Sequence, residues 1–167
     1  MKNKKTVFIV RTAIVSAIYI GLTYVLFSFA YGIIQLRLSE ALCLMPLLYA
    51  DSVLGLFIGC LLANIASPFG IYDIIFGSLI TLVSGAITFA CRKVKNKVLK
   101  IFLGGLPPVL LNAFFLPLIW YFVAGDVGYW TNFVSILISQ TIGVYVLGIP
   151  LFLALERLKN KGVSFFS

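Results

Sequence analysis

A single domain of six transmembrane α-helices over residues 1–167 is what this sequence predicts, with both termini cytoplasmic. Three observations carry that expectation. The chain is 62% hydrophobic and 11% charged, with a mean hydropathy of +1.12, whereas a soluble domain carries about 25% charged residues. Its apolar stretches approach the roughly 20 residues that an α-helix needs to cross a bilayer. Twelve of the thirteen basic residues fall in three clusters that flank those stretches: Lys2, Lys4, Lys5 and Arg11; then Arg92, Lys93, Lys95, Lys97 and Lys100; then Arg157, Lys159 and Lys161.

The spans follow in order. The first runs from about Thr12 to Ala30. It is expected to be retained, because no small-residue cleavage site follows the basic start. The second, Ile34 to Ala50, carries the isolated Arg37 and, three residues on, Glu40. Asp51-Ser52 marks a turn into the third, Val53 to Ala66, which ends at Ser67-Pro-Phe-Gly70. The fourth runs from Asp73 to Cys91. The fifth, Ile101 to Val123, contains Pro107, Pro108 and Pro117. The sixth covers Asn132 to Leu155. Basic residues mark the cytoplasmic side. Four spans separate the first two clusters and two separate the last pair, so all three clusters lie on one side. The second and third spans are short for a bilayer of about 30 Å, and a re-entrant hairpin satisfies the same charge pattern.

Composition also excludes chemistries. A net charge of +8 in a soluble protein would suggest nucleic acid, but cations that flank apolar spans are membrane anchors, and no nucleic-acid partner is expected. There is no histidine, so no Ser-His or Cys-His nucleophile system and no histidine-bound metal can form. Cys43, Cys60 and Cys91 lack metal or disulfide spacing. No P-loop motif is present. No catalytic residue, metal or cofactor is expected in this chain.

Several constellations invite a functional reading beside a structural one. Arg37 and Glu40 are expected on one helix face, where they would either pair or hold a polar ligand. Asn64, Ser67, Pro68 and Asp73 surround the outer end of the third span; Asp73 is expected to cap the fourth helix, and Asn64 needs a partner. Gly77, Thr81, Ser84, Gly85 and Thr88 look like close helix packing. Asn132, Ser135, Ser139, Gln140 and Gly143 form a polar stripe on the sixth helix that Asn112 could face. These amides would bond either one another or a heterocyclic base. Trp120, Tyr121, Tyr129 and Trp130 bracket the outer loop with Asp126, as an interfacial belt or as a stacking surface. Ala13, Ala17 and Gly21 recur every four residues and would pack either inside the protein or against another membrane subunit.

Gln35-Leu-Arg-Leu-Ser-Glu-Ala-Leu42, Pro46, the run Gly55 to Gly70 containing Ala-Asn-Ile-Ala-Ser-Pro-Phe-Gly, and Tyr72-Asp-Ile-Ile-Phe-Gly-Ser-Leu79 resemble the QueT family. These are substrate-binding S components of energy-coupling factor (ECF) transporters, assigned to uptake of queuosine precursors. The resemblance implies a bacterial cell-membrane protein without its own motor. It would capture a vitamin-like compound from outside and associate with a transmembrane T subunit and two cytoplasmic ATPases, which bind the ATP. Ala13 and Ala17 match the family's docking face, with Gly21 continuing it. The implied ligand is a 7-deazaguanine: the nitrile, the aminomethyl compound or free queuine. Glu40 is expected to take its N–H donors, with Asn64, Asn112 or Gln140 completing the edge, Arg37 orienting the ligand or binding its oxygens, Trp130 stacking, and Asp73 or Asp126 meeting an ammonium. The alternatives are an S component for riboflavin or thiamine and, more remotely, an intramembrane enzyme or a scaffold.

Overall fold

The computed structural model describes residues 4–25 and 37–162. Six helices and no strand are present among the described residues. They are α1 (Lys4–Val25), α2 (Leu38–Leu47), α3 (Asp51–Ala66), α4 (Asp73–Lys93), α5 (Lys97–Ala124) and α6 (Tyr129–Asn160). Four of them, α1, α4, α5 and α6, are long and apolar enough to cross a membrane. The chain is thus a multi-pass membrane protein. Residues 26–36, which hold the expected end of the first span and start of the second, lie outside the described residues.

The long helices run further into their basic flanks than the apolar stretches suggest. α1 begins at Lys4, α5 at Lys97, and α6 continues to Asn160. Lysine stems lie along apolar surface while their ammonium groups reach the interface, so a charge at a span's end does not stop the helix. The basic loop expected between Arg92 and Lys100 shrinks accordingly. Arg92 and Lys93 close α4 in a 3₁₀ turn, and Asn96 caps α5 by accepting a hydrogen bond from the Leu99 N–H (3.1 Å). At the other end Gly125, at φ +70, closes α5 in the left-handed conformation.

The second and third spans depart most from expectation. α2 is a ten-residue 3₁₀ helix, and eight of its residues are buried. A 3₁₀ helix rises about 2.0 Å per residue, so ten residues reach roughly 20 Å. That is too short for a bilayer but sufficient here, because α2 runs through the protein interior rather than against lipid. Its side chains are apolar nearly all round, as a fully enclosed helix requires. α3 is thirteen α-helical residues, Asp51–Ala63, closed by the 3₁₀ turn Asn64–Ala66.

The α1–α3 packing follows the glycines of α3 and not the small residues of α1. α1 lies on α3 at Gly55 and Gly59, where an added Cβ would fall 2.7 Å from the Cβ of Val15 and of Tyr19 respectively. Two glycines four apart let the backbones meet. Ala13, Ala17 and Gly21 point away from this contact and are exposed. The α4 stripe is buried as expected at Gly77, Thr81, Ser84, Gly85 and Thr88. Two side chains of α4 also repair α5. Pro107 and Pro108 have no N–H for the carbonyls of Leu103 and Gly104 four residues back. The Thr88 hydroxyl donates to the Gly104 oxygen (2.7 Å), and the Cys91 thiol donates to that of Leu103 (3.7 Å). This is how a membrane helix tolerates proline.

The three basic clusters meet at one end of the bundle. Arg11 and Lys159 lie over the Tyr49 ring, 4.7 and 4.8 Å from its centroid. Arg11 also pairs with Asp51 (3.3 Å), Lys159 donates to the Leu48 carbonyl (2.8 Å), and Lys97 pairs with Glu156. The charged ends of α1, α5 and α6 are thereby tied to the α2–α3 turn.

Candidate functional site

The opposite end of α2 opens into a buried polar region assembled from α1, α2, α3, α4 and α5. It divides into two parts because Arg37 precedes the helix. Its backbone is extended (φ −101, ψ 112), so Arg37 and Glu40 do not share a helix face. The expected Arg37–Glu40 pairing is replaced by two separate sets of partners.

The first set surrounds Asp73, whose residue is 1% exposed. One carboxylate oxygen accepts from the Ser67 hydroxyl (2.6 Å) and faces an Arg37 guanidinium nitrogen at 3.6 Å. The other accepts from the Trp120 indole N–H (2.9 Å). Arg37 also donates to the Asn64 Oδ1 (3.1 Å), and the Asn64 Nδ2 donates to the Asp73 carbonyl (2.9 Å). Trp120 stacks on Phe69 with centroids 4.1 Å apart and planes 9° from parallel. Asp73 therefore does not cap α4. It starts a π-helical turn, Asp73–Gly77, and its carboxylate joins α4 to α5, to Arg37 and to the Ser67 turn. Charge pairing and full hydrogen bonding make such a buried carboxylate tolerable.

The second set surrounds Glu40, 5% exposed. The Tyr19 hydroxyl donates to Oε1 (3.0 Å) and the Cys43 thiol to Oε2 (3.1 Å). Both donors are neutral. The described ion pairs are Arg11–Asp51, Arg37–Asp73 and Lys97–Glu156, so no cation lies within ion-pair distance of Glu40 among the described residues. Beside it the Thr23 hydroxyl donates to that of Ser39 (2.9 Å). Glu40 packs against α6 at Gly143, where a Cβ would come within 2.9 Å of the Glu40 Cβ. Gly143 lies in a second π-helical turn, Ile142–Leu147. A 3₁₀ helix and two π turns thus surround this region, and π turns recur at functional sites.

The other expected site residues sort as follows. Asn64 belongs to the Asp73 set. Gln140 is buried on α6, one turn before Gly143, and its Oε1 has no donor among the described residues. Asn112 is buried, and its Nδ2 donates to the Pro108 carbonyl of its own helix (2.8 Å). Asp126 accepts from the Gly128 N–H (2.8 Å) and from Asn132 (2.6 Å), which shapes the turn into α6. Trp130 is 72% exposed and lines a surface groove of about 320 Å³ with Leu118, Tyr121, Phe122, Val127 and Tyr129. Its place is outside the buried region, and the buried indole is that of Trp120. Tyr19, Cys43, Ser39 and Phe69 were not singled out in the sequence. A tyrosine in mid-span was the available signal, since a buried phenol needs a partner. No group of three potential metal ligands forms among the described residues.

The comparisons with known proteins agree with this architecture. The family model for QueT transporters matches residues 9–157. The chain is 41% identical over 85 residues to the "Queuosine precursor transporter QueT" of Lactococcus lactis subsp. cremoris (strain MG1363), an alignment that covers 50% of this chain and 50% of that relative. The chain therefore spans about half the length of the curated relative that it matches. No solved structure matches. With a family match that takes in the buried region and all six helices, the chain belongs to the QueT transporter family, a family of transporters and not of enzymes.

Proposed function

We propose that this chain is the substrate-binding S component of an ECF importer, and that it captures a queuosine precursor of the 7-deazaguanine class from outside the cell. The observation that carries the ligand chemistry is Glu40: a buried carboxylate held by two neutral donors and in no ion pair among the described residues. Charge-assisted hydrogen bonds are the strong ones, and a 7-deazaguanine offers two adjacent kinds of N–H donor on its pyrimidine edge. A site built for such donors rejects bases that lack them. Asp73 is fully engaged with Ser67, Trp120 and Arg37, which favours Glu40 over Asp73 as the ligand's carboxylate. The relative's name supports the substrate class.

The gathered basic end would face the cytoplasm, which puts both termini inside and the Asp73 region outside. Ala13, Ala17 and Gly21, exposed on α1, would receive the T subunit, and two partner ATPases would bind the ATP. Calorimetric titration of the purified chain with 7-deazaguanines, guanine, riboflavin and thiamine tests the reading. One-to-one binding of a 7-deazaguanine, with riboflavin and thiamine rejected, is expected. Binding of only riboflavin or thiamine would keep the S-component role and discard the substrate. Binding of nothing by folded protein would favour a scaffold.

A further inference from the structure

Two buried side-chain atoms among the described residues have no hydrogen-bond partner: Asp51 Oδ1 and Gln140 Oε1. Asp51 belongs to the basic end and is paired with Arg11 through its other oxygen. Gln140 is 5% exposed and sits on the face of α6 that looks into the bundle, with Ile136, Ser139, Gly143 and Val144 buried beside it. An unpaired acceptor in a buried position destabilises the fold that contains it, and each such group calls for an explanation. Its position supplies one. Gly143 follows one turn later and packs on Glu40, and the π turn begins at Ile142, just past Gln140. Gln140 thus stands one helical turn from the glycine that packs on Glu40, and among the described residues its carbonyl has no donor and Glu40 has no ion-pair partner.

We infer that Gln140 is a specificity-determining residue, which with Glu40 reads the exocyclic 2-amino group of the bound base. This rests on the transport reading above. A 2-aminopyrimidin-4-one ring carries a ring N–H and an amino group with two hydrogens. The Glu40 carboxylate accepts the ring N–H and one amino hydrogen. The second amino hydrogen goes to Gln140 Oε1, which the folded chain leaves unsatisfied. A base without the amino group leaves Gln140 unpaired in the complex as well, and is rejected for that reason. The 7-substituent plays no part in this contact, so Gln140 selects the class of base and not the member of the class.

The test uses the full chain in detergent or nanodiscs, titrated with 7-deazaguanine and 7-deazahypoxanthine, which differ only in the 2-amino group. Wild-type protein is expected to bind 7-deazaguanine at least tenfold more tightly. Gln140→Leu and the more flexible Gln140→Met are expected to bind 7-deazaguanine roughly tenfold more weakly, to bind 7-deazahypoxanthine as wild type does, and so to lose most of the discrimination. Because they remove an unsatisfied buried acceptor, they are also expected to melt no lower than wild type without ligand. A merely structural glutamine would lower the melting temperature and leave the ratio alone. Equal binding of the two bases by wild type, or an unchanged ratio in whichever variant folds, overturns the role of Gln140 and leaves the transport reading intact. Binding of riboflavin or thiamine and of neither base overturns both.

Discussion

Glu40 and Asp73 are both buried carboxylates, yet their surroundings differ. Asp73 has a guanidinium, a hydroxyl and an indole N–H, so it is a structural joint. Glu40 has a phenol and a thiol and retains acceptor capacity, since an ionised carboxylate has about four lone-pair sites. Glu40→Gln keeps the shape and an acceptor for Tyr19 but removes the charge. A hydrogen bond to a charged group is worth about 1.5–3 kcal/mol, so the variant is expected to bind a 7-deazaguanine roughly 10- to 100-fold more weakly by calorimetry. Affinity equal to wild type would remove Glu40 from the ligand site. Gly143→Ala tests the contact behind it. The new methyl would lie 2.9 Å from the Glu40 Cβ, an atom close to the backbone that cannot swing aside. Overpacking of this kind costs about 1–3 kcal/mol, and a lowered melting temperature together with weakened ligand binding is the expected result.

At the scale of elements, the irregular helices explain why the spans were hard to delimit. Hydropathy locates a segment that is apolar over a bilayer's thickness, and it located α1, α4, α5 and α6. It could not reveal that α2 is a 3₁₀ helix enclosed by its neighbours, because enclosure is a property of the assembled bundle. The short second and third spans were visible as a discrepancy in length, and the structure shows how α2 meets it: enclosed by its neighbours, it joins the Arg37–Asp73 end to Lys159. The prolines of α5 were equally visible, but the partners for the freed carbonyls were not. Thr88→Val removes the hydroxyl that serves the Gly104 oxygen while keeping the volume. It should cost about 1–3 kcal/mol by leaving a buried acceptor unpaired, measured as a drop in thermal stability in detergent. A variant as stable as wild type would show that Gly104 finds another donor.

For the molecule as a whole, the proposed docking face and the proposed ligand site lie on opposite sides of α1. Ala13, Ala17 and Gly21 are exposed on α1, while the opposite side of that helix holds Val15, Ser16 and Tyr19 against Gly55 and Gly59. Ala17→Leu adds bulk only to the outer face. It is expected to abolish co-purification with a T subunit and its ATPases while leaving affinity for the 7-deazaguanine within about twofold, as befits a surface change away from the site. Loss of ligand binding with assembly intact would invert the assignment of that face.

The sequence by itself determined the membrane character, four of the long helices, the grouping of the basic residues at one end and the presence of buried polar groups near Arg37, Asn64 and Asp73. These follow from composition and from one-dimensional periodicity, which the chain carries along its length. Only the tertiary structure decided who partners whom. It sent Arg37 to Asp73 rather than to Glu40, gave the buried indole to Trp120 rather than Trp130, packed α1 on Gly55 and Gly59, and left Gln140 Oε1 without a donor among the described residues. The physical reason is that hydrogen bonds and close packing join residues far apart in the chain. A side chain's unmet need is readable from its type, but the group that meets it is fixed only when the helices come together.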